Sequence, residues 1–469
     1  MRKFLSLCAL LSMMTAPAVA QTPPPDVAAI PPAVVETVQQ LQKSALAGDL
    51  AFATVSDLTT MVGPRMAGAE QEARARAWAE RYLKGLKFDA VRIEEVSIPY
   101  WARLYDAAEI VSPVPFKLYV AALGGSGPTP KGGITAPLVR FTDLNGLRAA
   151  APETVKGKIV FIDEPTVRTQ DGSGYGVGVV KRGLCGPIAQ SKGAAGCLIR
   201  SVGTHMHRFP HQGGPARARD GATLPVAAVS PPDAEHLSRL MARGEVKVRL
   251  EIDVEVKDDA PSGNVIAEVR GREKPNEIVI IGAHLDSWDQ GTGALDDGAG
   301  VGIVVAAAKL IQDLPRHPKR TIRVILFGAE ETGLHGANAY VKQHASEVGQ
   351  FIVGAESDFG ARKVFRFQTR FGEAALPAAR AIQRQLAPLG IGPHDNMAFG
   401  GPDMTPFRNA GVPIVELEQN GWDYFDYHHT PDDTLDKIDP AELRQNVAAY
   451  ATFAYLAAEM DWDFRAVAK

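Results

Sequence analysis

Residues 277–300 read EIVIIGAHLDSWDQGTGALDDGAG, and they join an apolar run to a helical pattern. The run 277–284 has the length and composition of a buried strand, and apolar residues recur at helical spacing over 299–314. Between them, residues 282–300 contain one histidine, four aspartates and five glycines. The segment therefore predicts a strand, a charged loop and a helix, with the charges placed where the strand ends.

The alternation of strand and helix continues to the end of the chain. The further predicted strands are 320–330, 351–358 and 412–419, and the further predicted helices are 336–344, 376–388 and 440–460. Strands that are apolar almost throughout are typical of a largely parallel sheet with both faces covered. We therefore predict an α/β fold, with a largely parallel mixed sheet flanked by helices.

Upstream of this region the pattern is different. Residues 33–58 and 70–83 show helical spacing on either side of a loop at 63–68. Short β-branched runs separated by glycine and proline follow, and they predict an inserted β-rich domain. The predicted units are a signal peptide at 1–20, a leader and first part of the main domain at 21–104, the insertion at 105–258 and the rest of the main domain at 259–469.

The first twenty residues have the composition of a secretory signal peptide. Arg2 and Lys3 precede an apolar run, and Ala18 and Ala20 provide the small residues of a cleavage site. The run is too short to span a bilayer, so we predict export to the periplasm or the extracellular space and no membrane span.

Cleavage at this site would leave two cysteines, Cys185 and Cys197. Export favours a disulfide between them, whereas two free buried thiols are the alternative. The sequence leaves both open.

The charge balance excludes one class of partner. The chain has 469 residues, 50 Lys and Arg, 54 Asp and Glu, and a formal net charge of −4. No block of basic residues could neutralise a phosphate backbone, so we expect no nucleic-acid partner.

Three successive predicted strands end in acidic or imidazole side chains. These residues, with one more from the first loop, are His284, Asp286, Asp296, Glu330, Glu331 and Asp358. Carboxyl ends of parallel strands share one edge of a sheet, where ligands bind. Clustered carboxylates oppose each other's ionisation unless a cation lies among them, so we expect one or two divalent metal ions. Mixed imidazole and carboxylate donors suit zinc, and a solvated acidic rim without metal is the alternative.

Five motifs then carry a family resemblance. GAHLDSW, GALDDGAG, GAEETGLHG, ESD and YHHTPDDT, in this order, resemble the ligand motifs of the di-zinc aminopeptidase and glutamate carboxypeptidase superfamily. The resemblance covers most of the chain, and the insertion resembles a protease-associated domain. It implies a zinc-dependent exopeptidase of the metallocarboxypeptidase or dipeptidase type that acts on short peptides. An aminopeptidase acting on longer peptides, and a receptor-like protein without metal, are the alternatives.

The resemblance also assigns roles to single residues. It implies two zinc ions, with the ligands His284, Asp296, Glu331, Asp358 and His429, of which Asp296 bridges both ions. Glu330 would be the general base, and Asp286 would orient His284. His429 is chosen over His428 because the superfamily's ligand lies four residues before the acid of the closing Asp-Thr, here Asp433. The resemblance further implies a cis peptide between Asp296 and Asp297.

Three histidines of the insertion remain without an assigned role. His205, His207 and His211 lie in the insertion and could form a third metal site, but a solvated or substrate-facing loop is the preferred interpretation because no carboxylate is near in sequence.

Members of the superfamily are commonly dimers, so a homodimer is among the states that the resemblance allows.

Overall fold

A computed structural model of the chain describes residues 29–214 and 224–467. The predicted signal peptide lies outside the described residues. The helices are α1 (Pro32–Ala47), α2 (Leu50–Met61), α3 (Glu70–Gly85), α4 (Leu144–Ala149), α5 (Pro152–Val155), α6 (Ser173–Gly178), α7 (Val180–Ser191), α8 (Pro231–Met241), α9 (Ala299–Gln312), α10 (His335–Gln343), α11 (Leu376–Leu386), α12 (Met404–Asn409), α13 (Tyr424–Tyr427) and α14 (Pro440–Glu459). The strands are β1 (Ala90–Ser112), β2 (Phe116–Leu118), β3 (Val120–Ala122), β4 (Ile134–Phe141), β5 (Ile159–Ile162), β6 (Gly196–Arg200), β7 (Val226–Val229), β8 (Lys247–Val269), β9 (Lys274–His284), β10 (Arg320–Phe327), β11 (Phe351–Glu356), β12 (Val364–Arg370), β13 (Gly392–Pro393) and β14 (Ile414–Gln419).

The strands hydrogen-bond in the order β13-β12-β14-β11-β9-β10-β8-β4-β5-β6-β7-β3, and β1 pairs with β2 and β8. At the centre of the main part, β9 runs parallel to β10 and β11, and β11 runs parallel to β14. The pairs β8–β10 and β12–β14 are antiparallel. The predicted α/β fold with a largely parallel mixed sheet is confirmed.

The central strand β9 explains why the sequence shows no polar alternation there. Val279 and Ile281 are fully buried in a core that includes residues of α9 and α14. Ile278 and Ile280 point to the other face, where they join a second cluster with residues of α10 and α12. Burial of each such side chain stabilises the fold by roughly 2 kcal/mol. Because both faces of β9 are covered, successive residues of the strand are apolar.

A long ribbon connects the main sheet to the insertion. β1 and β8 pair antiparallel from Ala90 opposite Glu268 to Ser112 opposite Lys247. One end of β8 pairs with β10 and the other end with β4. The ribbon therefore spans both predicted insertion boundaries, at 105 and 258, and its register shifts between Arg103 and Tyr105 and again opposite residues 257–260. Beyond it, β4–β7 and α4–α8 enclose their own buried apolar residues.

Some element ends differ from the prediction. The helical stretch predicted over 33–58 is two helices, because the backbone is extended at Gly48. The strand predicted over 320–330 ends at Phe327, since Ala329 adopts a left-handed conformation with φ of 56°. The latter difference matters because it places Glu330 and Glu331 in a turn beyond the strand.

Two further observations bear on the cellular setting. Cys185 in α7 and Cys197 in β6 form a disulfide, with their Cα atoms 6.4 Å apart, which decides between the two alternatives. Within the described part of the chain, no helix has both the length and the apolarity needed to cross a bilayer.

Candidate metal centre

The residues predicted to form the site meet at the carboxyl edge of the main sheet. His284 ends β9, Glu330 and Glu331 follow β10, and Asp358 follows β11. Asp296 lies in the turn before α9, and His429 lies just after α13. His284, Asp296, Glu331 and His429 are each less than 10% exposed.

Asp296 lies between two groups of side chains. Its Oδ1 is 3.0 Å from Nε2 of His284, which is also 3.5 Å from Oδ1 of Asp358. Its Oδ2 is 3.0 Å from Nε2 of His429, which is 2.9 Å from Oε2 of Glu331. The structure thus brings together the five residues predicted as metal ligands, in two groups that share one carboxylate.

The local sequence DDGAG shapes the turn that presents Asp296. The peptide between Asp296 and Asp297 is cis, as the resemblance implies. The Asp297 carboxylate accepts hydrogen bonds from the backbone N–H groups of His284, at 3.1 Å, and Gly300, at 2.9 Å. A Cβ on Gly300 would lie 2.0 Å from the carbonyl oxygen of Ser357, so only glycine fits. Asp297, which had no predicted role, ties the turn to the end of β9.

Two residues that sequence reasoning missed hold this loop from outside. The Asp433 carboxylate accepts from the backbone N–H groups of Leu295, at 2.6 Å, and Asp296, at 3.2 Å. Arg65 is fully buried and donates to the carbonyls of Thr292, at 2.7 Å, and Gly293, at 2.8 Å. Burial and the charge of Asp296 raise the pKa of Asp433 to about 7. In the sequence analysis Asp433 was used only to choose between His428 and His429. Arg65 lies in the predicted loop at 63–68, where no motif indicates a role for it.

Asp286 acts through two different groups. Its backbone carbonyl is 3.0 Å from Nδ1 of His284, whereas its nearer carboxylate oxygen is 3.8 Å from the same nitrogen. A carbonyl can only accept, so Nδ1 donates to it, and Nε2 faces Oδ1 of Asp296 at 3.0 Å. The carboxylate of Asp286 accepts from the backbone N–H groups of Glu330, at 3.0 Å, and Glu331, at 3.3 Å. It therefore holds the turn that carries both glutamates.

His429 is oriented in the same way, but from the insertion. Its Nδ1 is 3.2 Å from the backbone carbonyl of Gln212, and its Nε2 faces the carboxylates of Asp296 and Glu331. His428 stacks on the His429 ring at a centroid distance of 3.6 Å, and its Nε2 is 3.6 Å from Oδ2 of Asp296. Of the two histidines, His429 makes the shorter contact with Asp296.

The glycine-rich loop at 400–403 covers another carboxylate that sequence reasoning missed. Glu356, the last residue of β11, is 4% exposed and accepts from the backbone N–H of Asp403 at 2.8 Å. Gly400 and Gly401 have φ of 88° and 98°, and a Cβ on Gly401 would lie 2.2 Å from Oε2 of Glu356. Burial, with the nearby charges of Asp358 and Glu330, raises the pKa of Glu356 well above its usual range.

A cavity of about 650 Å³ lies between the sheet edge and the insertion. Most of its acidic lining comes from the sheet side and includes Glu330, while Asp171, Tyr175 and Arg182 come from the insertion. Apolar surface from Phe359, Phe399, Leu417 and Phe425 completes it. The volume lies within the range of small-molecule sites, so it suits a short peptide.

The sequence favoured a solvated or substrate-facing loop for the histidines of the insertion, and the structure excludes the solvated form for two of them. His205 and His211 are buried with stacked rings 5.0 Å apart, and only His207 is exposed. Burial, with the neighbouring His207, lowers the pKa of His205 to about 4. Within the described ranges, no cluster of three metal-donor groups includes any of the three histidines.

A cluster of imidazoles and carboxylates at the edge of a largely parallel sheet, facing a cavity of peptide size, defines a metal-dependent hydrolase. Comparison with known proteins makes the class precise. The model of peptidase family M28 matches residues 264–454, and the chain belongs to this family of metallopeptidases.

Three relatives show how far the similarity extends. Carboxypeptidase Q of Mus musculus is 33% identical over 409 residues, which cover 86% of this chain and 84% of the relative. Aminopeptidase YwaD of Bacillus subtilis is 24% identical over 408 residues, covering 84% of this chain and 81% of the relative. The crystal structure of a peptidase M28 precursor from Shewanella amazonensis has a TM-score of 0.91 at 46% identity, covering 93% of this chain and 99% of that one. The longer motifs of the sequence, such as HPKRTIRVILFGAEE, likewise resemble carboxypeptidase Q.

Proposed function

We propose that the chain is an exported di-zinc exopeptidase that hydrolyses short peptides, chiefly dipeptides. The observation that carries this proposal is the position of Asp296, whose two carboxylate oxygens each lie 3.0 Å from a different imidazole. A carboxylate between two separate donor groups suits a ligand that bridges two metal ions. His284 and Asp358 would hold one zinc ion, and Glu331 and His429 would hold the other.

The donor set fits zinc. Oδ2 of Asp296 and Oε1 of Glu331 are buried without a hydrogen-bond partner, and a metal ion would satisfy such atoms. Both imidazoles turn their Nε2 atoms toward the cluster, because their Nδ1 atoms face backbone carbonyls. Zinc accepts this mixture of nitrogen and oxygen donors, whereas magnesium and calcium prefer oxygen alone.

The catalytic step depends on Glu330. When bound, zinc supplies a Lewis acid for the peptide carbonyl and lowers the pKa of water. Glu330 lines the cavity and is not assigned as a ligand, so its carboxylate can accept the proton of the attacking water and deliver it to the leaving amine. Burial, with the charges of Glu331 and Asp358, raises the pKa of Glu330 well above its ordinary value.

Action on the amino termini of longer peptides is the second candidate, and the similarity to Aminopeptidase YwaD supports it. The similarity to carboxypeptidase Q extends over as much of the chain at higher identity, and it favours the first. A receptor-like protein without metal is disfavoured, because the five ligand residues and the base are all present.

Three further features are part of the proposal. Residues 1–20 would direct export, and the disulfide supports an oxidising destination. The insertion at 105–258 would be a protease-associated domain. The active protein would form a homodimer.

The test combines metal content with substrate class. Dialysed protein should retain zinc, and the zinc-loaded protein should hydrolyse free dipeptides faster than N-blocked dipeptides or longer peptides. Protein without bound zinc after loading would contradict the proposed chemistry. A preference for longer peptides would favour the aminopeptidase instead.

A further inference from the structure

Glu416 in β14 is a carboxylate of the cavity that the proposed chemistry does not use. It lines the cavity and is partly buried. Its Oε2 accepts hydrogen bonds from the backbone N–H groups of Phe399, at 2.8 Å, and Gly400, at 3.3 Å. Both donors bond to the same oxygen, and no residue within 29–214 and 224–467 donates to Oε1. One oxygen of the carboxylate is therefore left for a group that enters the cavity.

The carboxylate of Glu416 forms no ion pair within the described part of the chain, although one cation lies near it. That cation, Arg366, pairs with Glu418 at 2.5 Å instead. Among the described residues that line the cavity, the only lysine or arginine is Arg182, which contacts His429. Burial raises the pKa of Glu416, so a positive charge beside this carboxylate would stabilise its ionised form.

The sheet fixes how far Glu416 lies from the metal centre. β14 runs parallel to β11, with Ile414 opposite Gly354, so Glu416 is level with Glu356. Asp358, a proposed zinc ligand, lies two residues farther along the chain, at the edge of the sheet. With a rise of about 3.3 Å per residue and a strand spacing of about 4.8 Å, roughly 8 Å separates the backbones at Glu416 and Asp358. Glu416 thus lies below the edge and one strand to the side of the centre.

This distance distinguishes two positive groups that a dipeptide can carry. The terminal amine is bonded to the Cα next to the attacked carbonyl, so it stays within about 2.5 Å of the reacting carbon. A lysine side chain carries its ammonium about 6 Å from the same Cα. Phe399, which is 48% exposed and lines the cavity, offers apolar surface to the methylene stem of such a side chain. A cation at the level of Glu416 is therefore one that a long side chain carries.

We propose that Glu416 binds the cationic side chain of the substrate residue that precedes the scissile bond, so that the preferred substrates are dipeptides that begin with lysine or arginine. This inference rests on the proposed peptidase function and names its substrate class. A hydrogen bond from an ammonium or guanidinium group to Oε1 is charge-assisted, and a partly buried ion pair is screened less by salt than one on the surface.

The test uses the zinc-loaded enzyme and two dipeptides, lysyl-alanine and norleucyl-alanine, because norleucine has the stem of lysine without the ammonium. Glu416→Gln should lower kcat/KM for lysyl-alanine about 30-fold, mainly through KM, and for norleucyl-alanine by less than about threefold. Glu416→Asp keeps the charge on a shorter side chain and should retain part of the preference for lysine. Glu373→Gln is the matched control, since Glu373 is exposed on the surface, and it should change neither rate.

Equal losses on both dipeptides would mean that Glu416 binds the terminal amine, which both share, or supports the fold. Either result would overturn the inference, as would no loss at all. A second measurement needs no variant: the wild-type enzyme should favour lysyl-alanine over norleucyl-alanine by about tenfold or more in kcat/KM, and equal values would contradict the inference. The proposed function fails in a different way. Wild-type protein that retains zinc and hydrolyses no peptide would refute the peptidase, whereas wild-type protein that hydrolyses both dipeptides equally would refute only the role of Glu416.

Discussion

The two walls of the cavity differ in origin and in character. The sheet edge supplies carboxylates, among them Glu331 after β10 and Asp358 after β11. The insertion supplies an arginine, a tyrosine and one carboxylate, contributed by Arg182, Tyr175 and Asp171. In the proposed function the first wall, at the sheet edge, carries metal ligands and the general base, and the second wall, from the insertion, faces them across the cavity.

The difference shows how such a site is assembled. Strand ends fix their side chains because the sheet is buried on both faces, so the chemical groups vary little in position. The insertion reaches the same centre only through contacts across the cavity, such as the one between Gln212 and His429. Changes on this second wall should alter substrate choice more than the hydrolytic step.

Glu330 offers the sharpest test of the first wall. Glu330→Gln keeps the shape of the side chain and removes the group that accepts the proton. We expect kcat to fall by about 10³-fold or more, with the zinc content unchanged. Steady-state kinetics on a free dipeptide and zinc analysis of the same preparation measure both quantities.

Glu373→Gln is the matched control, because Glu373 is exposed on the surface. It should keep full activity. If Glu330→Gln hydrolysed the dipeptide at the wild-type rate, the assignment of the base would be wrong. If it lost zinc as well, Glu330 would instead support the metal centre.

Alanine substitutions at two adjacent glycines, Gly213 and Gly214, test the contribution of the second wall. A Cβ on Gly213 would lie 2.2 Å from Nη1 of Arg182 and 2.8 Å from Nδ1 of His429, and the backbone there has a φ of 123°. Gly213→Ala should therefore displace both side chains and lower kcat/KM by about tenfold or more. On Gly214, a Cβ would meet nothing closer than 3.4 Å, so Gly214→Ala should be tolerated. Equal effects of the two substitutions would contradict the role assigned to the Gly213 contact.

The sequence predicts the first wall much better than the second. Strand and helix periodicity place His284, Glu331 and Asp358 at one edge, because the ends of parallel strands must coincide. The loop after the first of these strands adds Asp296, the family motifs add His429, and the structure gathers all five.

The supporting residues are harder to predict because their contacts span long stretches of chain. Arg65 acts on carbonyls more than 200 residues away, and Gln212 acts on His429 through its backbone, so its side-chain identity carries no signal. The burial of His205 is equally non-local. A histidine in a loop that contains glycine and proline is expected to be exposed to solvent. The packing of the insertion against α13 nevertheless covers His205.

His205 also allows the stability of the insertion to be tested by pH. Its Nδ1 accepts a hydrogen bond from the backbone N–H of His207 at 2.8 Å, which requires an unprotonated nitrogen. Burial, with His207, lowers its pKa from 6.5 to about 4. The folded state thus binds this proton less tightly than the unfolded state, so the stabilisation is present above pH 6.5 and is lost as the pH falls towards 4.

The comparison with His205→Gln isolates this contribution. The difference in free energy of unfolding between wild type and variant should shrink by about 2 kcal/mol between pH 7 and pH 4. Met206→Gln is the matched control, because Met206 is 64% exposed on the same loop and does not titrate, so its difference from wild type should stay constant. Urea unfolding across this pH range measures both differences. A constant difference for His205→Gln would mean that the loop admits a proton without loss of stability.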